Sequence, residues 1–117
     1  VVWGDGTARR ELLHVDDLAD AMKCLMMAGT EHDRYNVGPG HDLAIAEIAS
    51  LIREVVGFEG AIRYDTTKPN GTMRKLLDSS RIRALGWRPS IDERAGLQSA
   101  YQDFLQLLSD PKSGARL

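Results

Sequence analysis

A chain of 117 residues, 43% of them hydrophobic, is long enough for one core and too short for a two-domain oxidoreductase. Its 15 Lys+Arg stand against 17 Asp+Glu, a balance that excludes long-range attraction to nucleic acid or an anionic membrane, so any anion site has to be local. The single cysteine, Cys24, rules out an intramolecular disulfide, and no Cys/His cluster points to zinc.

No apolar run reaches the length of a bilayer crossing, and the N-terminus lacks the basic-then-apolar layout of a signal peptide. A reducing, cytoplasmic compartment is the simplest reading. The chain opens on the strand-like Val1-Val2-Trp3 without a Met, which is expected of a piece continuing an upstream segment.

Residues 1–3 predict a short strand that runs into the turn Gly4-Asp5-Gly6, and residues 10–13 read as extended. Leu18, Ala21, Met22, Leu25 and Met26 then recur at helical spacing, with Asp16 or Asp17 as cap and Gly29 as stop. Residues 35–37 predict a strand before the turn Gly38-Pro39-Gly40.

A second helical stripe runs through Ile45, Ile48, Ile52, Val55 and Val56 to Gly57. With Ala44 as N-cap, Glu47 occupies the third helical position of a capping box that alanine leaves half complete. Residues 61–65 alternate as a strand, with Ile62 and Tyr64 on one face.

Ser79 or Asp78 caps a short helix ended by Gly86, and Trp87 with Pro89 reads as a packing clasp. Ser90-Ile91-Asp92-Glu93 has the form of a capping box before a last helix with the stripe Leu97, Tyr101, Phe104 and Leu108. Residues 1–108 are therefore expected to form one lobe, and residues 109–117 a polar, fraying tail. Helices alternating with short strands predict an α/β layering.

The most informative segment is Lys68-Pro69-Asn70-Gly71-Thr72-Met73-Arg74-Lys75-Leu76-Leu77-Asp78. Pro69 and Gly71 shape a turn, and Lys68, Arg74 and Lys75 surround it with positive charge suited to a phosphorylated ligand. A solvated surface turn is the bland alternative. Arg10 offers a planar fork matched to phosphate oxygens, against an ion pair with Glu11 or Asp16. Trp3 is either a pocket wall or a core aromatic. His14, between Leu13 and Val15, has no Ser or Cys partner and is read as structural.

Together with Trp3-Gly4-Asp5-Gly6, Arg10-Glu11-Leu12-Leu13-His14-Val15-Asp16-Asp17, Asn36-Val37-Gly38 and Leu85-Gly86-Trp87-Arg88-Pro89, this loop resembles the extended short-chain dehydrogenase/reductases that act on nucleotide sugars. The Lys-Pro string narrows the resemblance to the GDP-L-fucose synthases, over residues 1–108. It implies a small substrate-binding C-terminal lobe whose N-terminal Rossmann lobe lies outside this chain. It also implies NADPH-dependent 3,5-epimerisation and 4-reduction of GDP-4-keto-6-deoxy-mannose to GDP-L-fucose, in a homodimer.

The substrate contacts carried over by the resemblance are Trp3 and Arg10, joined by Lys68, Asn70, Arg74 and Lys75 of the loop. The family more often has Asp at the position of Asn70, and the amide changes an acceptor into a mixed donor and acceptor. NADP is expected on the Rossmann lobe, because Gly38-Pro39-Gly40 lacks the three-glycine fingerprint. Tyr64 and Lys68 have the spacing of the family's catalytic pair but fall on a strand and turn rather than a helix, so the chain alone is expected to be inactive. Two other readings are a related epimerase or dehydratase taking a different nucleotide sugar, and a binding module without turnover.

Overall fold

The computed structural model describes residues 1–28 and 31–109. Among these described residues, five two-residue strands and four helices follow in the order β1 (Val2–Trp3), β2 (Arg9–Arg10), α1 (Val15–Ala28), β3 (Leu43–Ala44), α2 (Ile45–Val56), β4 (Tyr64–Asp65), β5 (Arg74–Lys75), α3 (Ser80–Ala84) and α4 (Glu93–Ser109). The expected α/β character is borne out. The tail expected from residue 109 onward lies, apart from Ser109 at the end of α4, outside the described residues.

The strands form two small sheets. β1 pairs in parallel with β4, and β2 lies between antiparallel β3 and parallel β5. β3 and β5 carry no alternating pattern of their own; tertiary pairing with β2 makes them strands. Residues 35–37 form no strand, and Tyr35 and Val37 instead pack against the core.

Helix starts differ from the sequence reading in two places. α1 begins at Val15, where the His14 carbonyl accepts the Leu18 N–H at 3.1 Å and His14 Nδ1 accepts the Asp16 N–H at 3.3 Å. His14 is thus the cap and a structural residue, while Asp17 points away from that role. Its buried carboxylate takes the Ser90 N–H and Oγ–H, both at 2.9 Å, and the Ile91 N–H at 3.0 Å.

With Ser90 held by Asp17, the expected box at Ser90 does not form. Asp92 caps α4, its Oδ1 accepting the Ala95 N–H at 2.8 Å. The half-box on α2 is as expected: Glu47 Oε2 accepts the Ala44 N–H at 2.6 Å, and no side chain answers from Ala44. Gly57 closes α2 in the left-handed region at φ 69°, as a glycine C-cap should. The stop expected at Gly29 lies outside the described residues.

Ala21, Ile82 and Trp87 form the buried centre, with Leu13, Leu25 and Tyr35 packed around them, so Trp87 is the expected structural clasp. A second seam joins α2 to α4, where Arg94 Nη2 meets Glu54 Oε2 at 2.5 Å. The radius of gyration is 17.1 Å, against about 13 Å for a compact domain near this length. The spread shows on α1, whose second face leaves Met22 at 55% and Met26 at 84% exposure, flanked by exposed Val15 and Leu18.

Candidate ligand-binding site

The site is organised by β2. Side chains alternate across a strand, so Arg9 and Arg10 leave it on opposite faces. Parallel pairing sets Arg9 beside Arg74 and Arg10 beside Lys75. Each face therefore receives two cations.

On the first face both arginines close on Asp42. Arg9 Nε donates to Oδ1 at 2.7 Å and Arg9 Nη2 to the Asp42 carbonyl at 2.7 Å, while Arg74 Nε donates to Oδ2 at 2.5 Å. The Asp42 side chain is only 2% exposed. Hydrogen bonds from Arg74, then Arg9, hold its carboxyl below the usual carboxylate range against the opposing effect of burial. Asp42 in turn keeps Arg9 more firmly protonated.

On the opposite face the Arg10 guanidinium reaches the loop. Its Nη1 donates to the Arg9 carbonyl at 2.6 Å and to the Thr72 carbonyl at 2.7 Å. A Cβ at Gly71 would stand 3.6 Å from Arg10 Nη2, so the loop backbone passes directly against the guanidinium. Neither carboxylate proposed as its alternative partner takes it: Glu11 Oε2 accepts the Leu77 N–H at 2.9 Å, and Asp16 pairs with His14 at 3.7 Å. Among the described residues Arg10 has no carboxylate partner.

At the far end of the loop Lys68 Nζ lies 5.7 Å from the centroid of the Trp3 ring, a cation–π distance. Trp3 is 69% exposed, which removes the core-aromatic reading and leaves its face open. Asn70 Oδ1 accepts the Asp5 N–H at 2.8 Å. Gly4, at φ 82°, makes that contact possible, because a Cβ there would fall 2.1 Å from Asn70 Oδ1. Asp5 is held below the usual range by the Thr7 hydroxyl and backbone N–H, and then by the Asn70 side chain.

The fold thus brings Arg10, the loop, Trp3, Lys68, Asn70 and Lys75 to one region. Arg74 belongs to the same loop, but its guanidinium is engaged by Asp42. Asp42 itself was not visible in the sequence reading. The signal available was indirect: two cation pairs brought together on neighbouring strands need a buried counter-charge on one face.

The Gly38-Pro39-Gly40 turn is closed by a side chain. Arg83 Nη2 donates to the Pro39 carbonyl at 2.7 Å. It also fills the space over Gly40, where a Cβ would lie 1.5 Å away, so this turn offers no backbone cradle to a pyrophosphate. Tyr64 and Lys68 sit on β4 and the turn after it, and Lys68 faces Trp3. Two concavities elsewhere, about 840 Å³ beside His32 and Tyr35 and about 290 Å³ between His14 and Leu97, exclude Trp3, Arg10 and the loop. The candidate site is an open cationic face.

Comparison with known proteins places the chain in a family. The NAD dependent epimerase/dehydratase family model matches residues 1–38. GDP-L-fucose synthase 1 of Arabidopsis thaliana is 51% identical over 108 residues, covering 91% of this chain and 33% of that protein. The GDP-L-fucose synthase of Escherichia coli (strain K12) is 46% identical over 115 residues, covering 91% of this chain and 36% of its own length.

Among solved structures, a GDP-mannoheptose C4 reductase from Campylobacter jejuni with NADP bound superposes with a TM-score of 0.77 at 34% identity, over 89% of this chain and 34% of the other. The chain spans about a third of the length of the curated relatives it matches, and that third is their C-terminal part. No helix among the described residues is long and apolar enough to cross a membrane. On identity, coverage and fold together, the chain belongs to the NAD dependent epimerase/dehydratase family and corresponds to the C-terminal lobe of GDP-L-fucose synthases.

Proposed function

We propose that this lobe binds the nucleotide diphosphate of a GDP-sugar in an enzyme converting GDP-4-keto-6-deoxy-mannose to GDP-L-fucose. The observation that carries the reading is Arg10, whose guanidinium bridges β2 to the loop carbonyl of Thr72 without a carboxylate partner among the described residues. A fixed, unneutralised guanidinium beside the exposed Lys75 is suited to two phosphate oxygens. Trp3 and Lys68 then flank the nucleoside end, and Asn70 fixes the turn between them.

The chemistry belongs to an upstream Rossmann lobe, which carries NADP, the catalytic Tyr and Lys, and the dimer contacts. This chain contributes grip and orientation, setting the sugar carbon against the nicotinamide. The occupant proposed for the exposed α1 face of Val15, Leu18, Met22 and Met26 is that same lobe, since the relatives are about three times as long as this chain. Arg10→Ala in the full-length enzyme tests the reading. KM for the GDP-sugar should rise at least tenfold with little change in kcat, while unchanged KM removes Arg10 from the site. Titration with GDP and UDP tests the base, and preference for UDP overturns the substrate assignment in favour of another nucleotide-sugar enzyme.

A further inference from the structure

The strands that carry the proposed phosphate ligands are two residues long, and four cations on so short a pair weaken its backbone ladder. Arg9 faces Arg74 directly across β2 and β5, and like charges opposite one another on paired strands repel. Arg9 N–H donates to the Met73 carbonyl at 2.8 Å, so any spreading of that pair also moves the loop that Arg10 touches. What opposes the spreading is a single buried carboxylate taking the Nε–H of both arginines.

From this geometry we infer that Asp42 is a positioning residue for ligand binding. It holds Arg9 and Arg74 on one face, fixes β2 against β5, and so presents Arg10 and Lys75 in register on the other face. Asp42 does not touch the ligand. Its effect passes through the strand pair, and it makes Arg9 a supporting cation rather than a phosphate ligand. The inference rests on the diphosphate reading of Arg10, and the experiment separates the two.

In the full-length enzyme, Asp42→Asn removes the buried anion shared by two facing guanidinium groups and leaves Arg9 only the exposed Glu47 carboxylate at 3.8 Å. GDP affinity by calorimetry and KM for the GDP-sugar should both weaken about tenfold, with kcat changed less than about twofold, because binding geometry rather than chemistry is disturbed. Adding Arg9→Met to Asp42→Asn removes the repulsion. The double variant should bind GDP more tightly than Asp42→Asn and within about threefold of the parent. Arg9→Met alone should also stay within about threefold.

A general loss of packing gives the opposite order, since removing a second hydrogen-bonding side chain then makes the double variant worse. The proposal is overturned if Asp42→Asn binds GDP like the parent, if Arg9→Met alone loses tenfold, or if the double variant is the weaker binder. Should Asp42→Asn fail to fold, the double variant and Arg9→Met decide the matter on the same criteria. Arg10→Ala is measured alongside. If it binds GDP normally, the diphosphate reading has failed; if it alone weakens binding, only the role of Asp42 has.

Discussion

Asn70 Oδ1 accepts the backbone N–H of Asp5 at 2.8 Å across 65 positions of sequence, tying the first turn of the chain to the tip of the Lys-Pro loop. The same amide side chain also lowers the pKa of the Asp5 carboxyl, so it serves one residue as acceptor and donor together.

Replacing Asn70 by Asp keeps an acceptor for the Asp5 N–H but sets a second carboxylate beside the first. The variant should be less stable than the parent at neutral pH, and the gap should close below about pH 4 as the pair takes up a proton. Thermal melts at the two pH values measure this; a gap independent of pH contradicts the donor role of Asn70.

Asp17 is a larger structural risk. Removing the buried Asp17 carboxylate by Asp17→Ala leaves the part-buried N–H groups of Ser90 and Ile91 without their acceptor, which should cost about 2 kcal/mol in urea unfolding. The result would separate this aspartate from Asp16, whose side chain is 78% exposed and whose replacement should change stability by less than about 0.5 kcal/mol.

Asp5, Asp17, Asp42 and Asp78 all have depressed carboxyls, and the two buried ones, Asp17 and Asp42, dominate the pH profile. Burial pushes the Asp17 carboxyl up, but the Ser90 and Ile91 hydrogen bonds and nearby His14 outweigh it and leave a net lowering. Asp42 is lowered by Arg74 and Arg9. Both groups stabilise the fold fully above the unfolded-chain value near about 3.9, and that contribution is lost as pH falls toward their folded values. Stability of the chain should hold from about pH 7 to about pH 5 and decline below about pH 4; a maximum on the acid side contradicts the assignment.

Two glycines separate backbone strain from crowding. Gly57 has φ 69° with open space around a would-be Cβ, so Gly57→Ala should cost about 1 kcal/mol. Gly4 adds to its φ of 82° the close approach of Asn70, so Gly4→Ala should cost more and also loosen the loop. Equal losses in chemical unfolding contradict the Asn70 clasp.

The exposed α1 face should make the isolated chain self-associate. Met22→Glu with Met26→Glu should lower its sedimentation coefficient toward the monomer value without lowering its melting temperature, because both side chains are more than half exposed. In the full-length protein the same pair should be destabilising.

The parts of this fold legible in the sequence were those encoded locally. The stripes of α1, α2 and α4, the Gly57 stop and the half-box at Glu47 all follow from spacing within a few residues. β3 and β5 escaped because they are strands only by virtue of β2, and Ser90 misled because its partner Asp17 lies 73 positions away. At the site, the loop and Arg10 were readable from residue type and resemblance. Asp42, next to His41 in an unremarkable stretch, was not, since its meaning comes from two arginines that only the folded chain brings to it.

The contact between Arg10 and Thr72 closes 62 positions of sequence, and the parallel ladder beside it spans a similar separation. Ordering so large a loop carries an entropic barrier that local helices do not face, so α1 and α2 can form early while the binding surface waits for the chain to return. On the proposed reading, a nascent polypeptide has no grip on a nucleotide until the second half has been synthesised. Ligand added during refolding should therefore leave the early helical phase untouched and act only on the slowest one.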